Sequence, residues 1–318
     1  MSGKLPKDLK IGVLGGGVSG EREISLSSAR QVYEALCRQE TDTAFIDINT
    51  TSEAKIRDLI LSEKVKAVFI ALHGEFGEDG QIQSIIEKLN IPYAGSSPQA
   101  SLLSMDKYLS KKIFTRESIL TPDFTVCTNP GHLPGDFNTP LVVKPNLSGS
   151  SLGVKIVREK SNLKKALEEA FSFGEKVIVE KYIKGRELTV GILGEEALPV
   201  VEIVPKNEYF DFEAKYTDGR SEFVCPAELQ DGLSREIKKV ALRAHKALGC
   251  RHFSRVDMIL GEDKKIYVLE INSIPGLTSH SLLPLAAKTR GMSFDDLVLT
   301  IVEMVIHGKK KTQKTQKV

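Results

Sequence analysis

The chain has 318 residues, 41% apolar and 27% charged, the balance of an ordinary globular protein, and it is too long for one compact core. Five of its 44 lysines and arginines crowd the tail after Gly308; without them the net charge of +2 becomes −3, so no basic body points to nucleic acid. No apolar run approaches membrane-spanning length, and Met1 to Lys10 lacks the apolar core of a signal peptide, so a cytoplasmic protein is expected. Cys37, Cys127, Cys225 and Cys250 form no Cys-x-x-Cys pair and read as buried fillers, not as a zinc or disulfide framework.

In chain order, KIGVLGG from Lys10 predicts a strand, followed by a helix with Ala29, Val32, Tyr33, Leu36 and Cys37 on one face. TAFIDI and AVFIAL predict further strands, with helices marked by Ile56, Leu59 and Ile60, then by Ile82, Ile85, Ile86 and Leu89. Such alternation implies a parallel sheet covered on both faces, with ligands at the carboxyl ends of its strands. A helical stretch near Met105 to Ser118 ends before Thr121-Pro122. LVVKP, VKIVR, a helix near Leu163 to Phe171 and KVIVEKY then predict a second, strand-rich unit. From Glu187 follow the strands ELTVGIL and LPVVEIV, a long polar loop from Pro205 to Pro226, a helix from Leu233 to Leu248, and the hairpin of FSRVDMIL with KIYVLEIN.

In that hairpin Arg255 and Asp257 lie two apart on one strand, and Glu270 and Asn272 two apart on the next, so each pair shares a sheet face. With Leu260 paired to Lys265, Asp257 becomes the diagonal neighbour of Glu270. Two carboxylates and an amide suit magnesium or manganese carried with phosphates, not zinc; polar residues on the wet face of a hairpin are the other reading. The run VVKPNLSGSSLGVKIV sets Ser148 to Gly153 between two strands, where small residues let backbone N–H groups approach an anion and Lys144 adds a charge. It is not a Walker loop, and a plain hairpin turn is its alternative. Gly15, Gly17 and Gly20 spell G-x-G-x-x-G before a helix, with Asp47 closing the next strand, the outline of a dinucleotide fingerprint. Glu21 and Glu23 place negative charge where a pyrophosphate would bind, which favours a substrate-ammonium site, or a plain glycine turn at a helix start, over a nicotinamide cofactor.

Taken together, GGVSGEREISL, HGEFGEDG, SMDK, VVKPNLSGSSLG, EKYIKGRE, EAKY, RVD, LEINSIPG and TSHS resemble the D-alanine–D-alanine ligases of the ATP-grasp superfamily over nearly the whole chain. The resemblance implies an α/β fold. An N-terminal Rossmann-like parallel-sheet domain over 1–106 would precede a two-part ATP-grasp fold, its central subdomain at 107–186 and its catalytic subdomain at 187–318, with a frayed lysine tail at 309–318. It also implies that Lys107, Lys144 and Lys215 contact ATP phosphates beneath Ser150 and Ser151, with Glu180, Lys181 and Ile183 at the adenine and Glu187 at the ribose. Asp257, Glu270 and Asn272 match the metal ligands. Glu21 matches the group that binds the first D-alanine's ammonium, His73 lies in the loop near that substrate, and Ser281 with the amide of Leu282 matches the site for the second carboxylate. Ser150 and Tyr216 match partners that link this site to Glu21, and Arg255 with the amide of Gly276 the groups that stabilise the oxyanion.

Taken singly, Lys107 and Lys181 read as surface lysines, Glu180 as an edge-strand charge, Ile183 as core packing, His73 as a structural histidine and Ser281 as a helix cap. The implied activity is ATP-dependent ligation of two D-alanines through a D-alanyl phosphate, for peptidoglycan precursors, in a cytoplasmic homodimer. The segment 205–226, which holds Lys215 and Tyr216, would act as a lid. A ligase that takes D-lactate or D-serine second, a nicotinamide-dependent oxidoreductase, and an ATP sensor without chemistry are the alternatives. Tyr216 favours D-alanine, while Phe210 stands where several members of the family carry tyrosine.

Overall fold

The computed structural model describes residues 5, 6, 8–131, 137–205, 221–279 and 281–315. Its first sheet is parallel, in the order β2-β1-β3-β4, built from β1 (Lys10–Gly16), β2 (Asp42–Ile48), β3 (Ala67–Ile70) and β4 (Tyr93–Ala94). Ile11 and Val13 join one core and Leu14 the other, all fully buried, which suits β1 to a central strand. Helix α1 (Arg22–Arg38) covers one face through Ala29, Val32, Ala35 and Leu36. Helices α2 (Glu53–Ser62) and α3 (Gln81–Lys88) cover the other through Ile56, Ile60, Ile82 and Ile86. Gly15 is what lets α1 lie so close: a β-carbon there would come within 2.4 Å of that of Ala29.

The expected helix near Met105 to Ser118 is α5 (Lys107–Arg116), and a further helix, α4 (Pro98–Met105), precedes it. They divide at Asp106, whose carboxylate accepts the amide of Leu109 at 2.9 Å and caps α5. The second sheet is antiparallel, β5-β8-β6-β7, from β5 (Phe124–Cys127), β6 (Leu141–Pro145), β7 (Lys155–Val157) and β8 (Val177–Lys181). Helix α6 (Leu163–Phe171) packs Leu163, Ala166, Leu167 and Ala170 against it. The third sheet runs β11-β10-β9-β12-β13, from β9 (Gly185–Leu193), β10 (Glu196–Pro205), β11 (Ser221–Val224), β12 (Phe253–Gly261) and β13 (Ile266–Asn272). Its back is covered by α7 (Asp231–Ala247) and by Phe114 of α5.

Strands β5 and β11 depart from the sequence expectation, and β11 falls inside the expected loop from Pro205 to Pro226. Both are four-residue edge strands, too short for an alternating pattern to emerge. Helices α8 (Leu282–Thr289) and α9 (Phe294–Thr315) return the chain to the N-terminal sheet, where Leu283, Ala287, Leu297, Val298 and Ile301 share the core of β1 and α1. Helix α9 carries the backbone into the lysine-rich tail, where fraying was expected. Cys127 and Cys250 are buried fillers, but Cys225 is half-buried and Cys37 exposed, as is Leu59, so neither Cys37 nor Leu59 belongs to the apolar faces assigned from periodicity. No helix among the described residues is long and apolar enough to cross a membrane.

Candidate active site

The front of β9 and β12 changes character along its length. Leu193 and Phe253 pack into the core of the N-terminal sheet, Thr189, Arg255 and Asp257 follow as a polar band, and Glu187 and Ile259 then line a cavity of about 350 Å³. The second sheet supplies the opposite wall, including Val142, Lys144, Ile156 and Glu180. Ile183 and Leu269 extend the apolar lining, while Lys107, Ser148, Ser151 and the exposed Lys181 bring polar groups.

Lys107 and Lys144 are buried, which removes the surface-lysine reading of Lys107. Lys107 Nζ donates to the carbonyl of Ser148 at 2.8 Å and stands 3.3 Å from Glu270 Oε2. Lys144 Nζ donates to Glu180 Oε1 at 2.6 Å. Glu180 lies on the interior strand β8 at 2% exposure, so it is not an edge-strand charge, and Ile183 faces the cavity instead of a core. Sequence reasoning missed Lys111, whose Nζ is 2.7 Å from Glu180 Oε2 and donates to Thr121 Oγ1 at 2.6 Å. Its four-residue spacing from Lys107, one turn of α5, was the available signal. Burial pushes Lys111 down to about 8 against the pull of Glu180. Burial alone would raise Glu180, but the two lysines outweigh it and hold the carboxyl below its usual range.

In the glycine-serine loop Ser150 and Ser151 both take left-handed backbone angles, φ 52° and 57°. The Ser150 hydroxyl donates to the Glu21 carboxylate, joining the loop to the N-terminal sheet. Glu21 lies between two loops: a β-carbon on Gly74 would fall 2.4 Å from Glu21 Oε2, and one on Gly149 3.4 Å from it. Asp47, the acid of the fingerprint, is instead tied to Arg22 by a fork at 2.9 and 2.7 Å, an arrangement that gives the dinucleotide reading no support.

His73 is buried with both ring nitrogens engaged. Nδ1 donates to the carbonyl of Ile274 at 3.0 Å, because a carbonyl can only accept, so Nε2 accepts from Ser28 at 2.9 Å. It thus straps α1 to the loop after β13, and its burial lowers its pKa. Glu78, in the same HGEFGEDG loop and also missed from sequence, accepts the amide of Gly74 at 2.9 Å; burial, reinforced by Glu21, pushes its pKa up to about 8. Ser281 occupies the N-cap position of α8 without capping it. Its Oγ accepts the amide of Thr278 at 3.1 Å and would lie 2.7 Å from a β-carbon on Gly276. Leu282 opens that helix and is buried.

The hairpin register differs from expectation. Leu260 pairs with Ile266, not Lys265, and a bulge between Met258 and Asp257 inserts Leu269, so Asp257 directly opposes Glu270 and Arg255 opposes Asn272. The expected diagonal is therefore a direct pair, and Leu269 and Glu270 both reach the cavity. Two carboxylates facing each other across a ladder repel, and the protein supplies cations to both. Arg255 holds Asp257 by Nε at 2.9 Å and Nη2 at 2.8 Å, Thr189 donates to it at 2.6 Å, and Lys107 attends Glu270. The donors themselves, two carboxylates and the amide of Asn272, are hard oxygen ligands of the kind that would fit magnesium. Asn272 Oδ1 accepts the amide of Ile274 at 3.0 Å. Among the described residues no three His, Cys, Asp or Glu side chains gather as a metal cluster, so the third ligand would be the amide. Lys215, Tyr216 and Phe210 lie outside the described residues.

The family model of the D-ala D-ala ligase C-terminus matches residues 123–303, more than half of the chain, and that of the N-terminus matches 50–96. The chain belongs to the D-alanine–D-alanine ligase family. The ligase of Trichlorobacter lovleyi is 46% identical over 92% of this chain and 93% of its own length, and that of Halalkalibacterium halodurans 41% over 93% and 99%. Among solved structures, the D-alanine–D-alanine ligase of Bacillus anthracis in complex with ATP superposes at a TM-score of 0.81, with 35% identity over 96% of this chain and 99% of that one. The VanG D-Ala:D-Ser ligase of Enterococcus faecalis also superposes at 0.81, with 32% identity over 93% and 99%. The fold is thus the mixed α/β ATP-grasp arrangement of this ligase family, one parallel sheet and two antiparallel ones.

Buried ionisable groups give this family member an acid-sensitive stability. His245, bonded to Ser254 at 2.7 Å, and His252, bonded to the Gly95 carbonyl at 3.0 Å, are both pushed down to about 4, chiefly by burial. Between about pH 6.5 and 4 the unfolded chain binds protons that the folded one refuses, so stability is present above that window and lost on acidification, by on the order of 3 kcal/mol per histidine. Glu78 acts oppositely between 4.5 and 8, since its raised pKa means that the folded state holds the extra proton. Two histidines outweigh one glutamate, and His73 adds to them. The expected result is a melting temperature roughly 5 °C lower at pH 5 than at pH 7 by calorimetry; an unchanged value would show that the histidines do not outweigh Glu78.

Proposed function

We propose that the chain ligates two D-alanines to D-alanyl-D-alanine with consumption of ATP. The observation that carries this reading is the contact of Ser150 with Glu21, which sets the ammonium-binding carboxylate against the loop beside the cavity. Family membership supplies the substrates, and the cavity chemistry is consistent with the nucleotide. Apolar Val142, Ile156, Ile259 and Leu269 suit a purine ring, the Glu180 carboxylate suits its amino group, Lys181 and Ile183 flank that position, and Glu187 suits ribose hydroxyls. Lys107, Lys144 and Lys215, with the backbone around Ser150 and Ser151, hold phosphate oxygens.

Glu21 and the HGEFGEDG loop, strapped by His73, orient the first D-alanine so that its carboxylate meets the terminal phosphoryl group. The resulting acyl phosphate is attacked by the amine of the second D-alanine, whose carboxylate sits at Ser281 and the amide of Leu282, where the start of α8 favours an anion. Arg255 and the amide of Gly276 stabilise the oxyanion of that attack. Asp257, Glu270 and Asn272 would hold magnesium, which when bound screens phosphate charge. The family resemblance assigns Tyr216 a role beside Ser150, and a homodimeric cytoplasmic enzyme serving peptidoglycan precursor synthesis is the expected setting.

Purified protein with ATP, magnesium and D-alanine should release phosphate and dipeptide in equal amounts. Nucleotide binding without product would support a sensor, and a change in NADH absorbance an oxidoreductase; either would end the ligase reading. The superposition on VanG justifies adding D-serine and D-lactate in competition, where dipeptide is expected to predominate.

A further inference from the structure

Glu180 is clamped by two ammonium groups of different standing. Lys144 lines the cavity and reaches Glu180 Oε1 at 2.6 Å. Lys111 stands behind the cavity wall: it is absent from the lining, its side chain is fully buried, it holds Glu180 Oε2 at 2.7 Å, and it is fixed from its other side by Thr121 Oγ1 and by the ring of Phe124 at 5.5 Å. A buried carboxylate with no counter-charge takes up a proton. A lysine that also serves phosphate cannot guarantee that counter-charge once a triphosphate with several negative oxygens competes for it. We infer that Lys111 is a positioning residue of the nucleotide site, the counter-cation outside the cavity that keeps Glu180 ionised and aimed when Lys144 turns to the phosphates.

The inference rests on the ligase reading, in which Glu180 accepts from the amino group of the purine. An ionised carboxylate accepts from that amino group and repels a ring carbonyl at the same position, so Lys111 sets purine selectivity through Glu180 although it lies outside the cavity lining. The test compares wild type, Lys111→Met, Glu180→Gln and the double variant, using dipeptide synthesis with ATP or with inosine triphosphate, which carries the ring carbonyl.

Lys111→Met is expected to raise the KM for ATP about tenfold or more and to lower the preference for ATP over inosine triphosphate by a similar factor. Its kcat at saturating ATP and its KM for D-alanine should stay within about threefold of wild type. In the Glu180→Gln background the same substitution should change the KM for ATP by less than about twofold, because no charge remains to be held. A lysine that merely supports the wall would lower activity equally in both backgrounds, and that result, or an unaltered purine preference in the single variant, overturns the inference. Should Lys111→Met alone fail to fold, the double variant set against Glu180→Gln decides: equal KM for ATP upholds the inference and a tenfold difference refutes it. Wild-type protein that forms no dipeptide would instead signal failure of the ligase reading.

Discussion

Replacing Arg255 by alanine is expected to leave the fold intact and to slow turnover about 100-fold or more. Arg255 projects from β12 into the polar band, and its fork to Asp257 accounts for two of the five N–H donors of a guanidinium. Removing it takes the counter-cation from the buried Asp257 but leaves the hydrogen bond from Thr189 Oγ1 at 2.6 Å, so the melting temperature should fall while the fold holds. Turnover suffers because an oxyanion donor in a water-poor site is worth on the order of 3 kcal/mol of barrier. Since Arg255 lies outside the lining of the nucleotide cavity, the KM for ATP should change little. Steady-state kinetics beside a thermal melt check both halves: near-normal kcat removes Arg255 from this role, and a collapsed melting curve makes it a structural residue.

The second large effect is expected at Glu270. Glutamine keeps the size and one oxygen but removes the charge that Asp257 and Glu270 jointly present, so turnover at low magnesium should fall about 100-fold or more and recover in part as magnesium is raised. Lys107, relieved of its carboxylate partner, remains available to phosphate oxygens, so the requirement for ATP should not rise in step. Chelating the metal should abolish turnover of the wild type while leaving its melting temperature unchanged, because Arg255, Thr189 and Lys107 already satisfy the carboxylates without it. A magnesium titration of Glu270→Gln that overlays the wild type would remove Glu270 from the metal site.

These two residues also show how far the sequence could be read. That Arg255, Asp257, Glu270 and Asn272 share a face follows from the two-residue period of a strand, which any contiguous stretch carries in itself. Their opposition does not, because the bulge at Leu269 belongs to the pairing of two strands and not to either one. The parallel sheet was legible for the same local reason, since Ile11, Val13 and Leu14 make an apolar run flanked by helical periodicity. Edge strands β5 and β11 were not, being too short to declare a period.

Lysines and glutamates look alike in a string of letters whether solvated or sealed away. Lys111 and Glu180 are buried only because segments distant in sequence bring them together, and Glu78 is pushed to about 8 only because the loop that carries it is enclosed. Ser281 has the local pattern of a cap, yet the Thr278 turn claims its hydroxyl. Periodicity therefore pointed to the class of fold, and the resemblance of the ordered motifs to the family, since both are carried by neighbours along the chain. Which cation faces which carboxylate, and which charged groups lose water, was left to the folded state, because desolvation and ion pairing depend on partners that only packing selects.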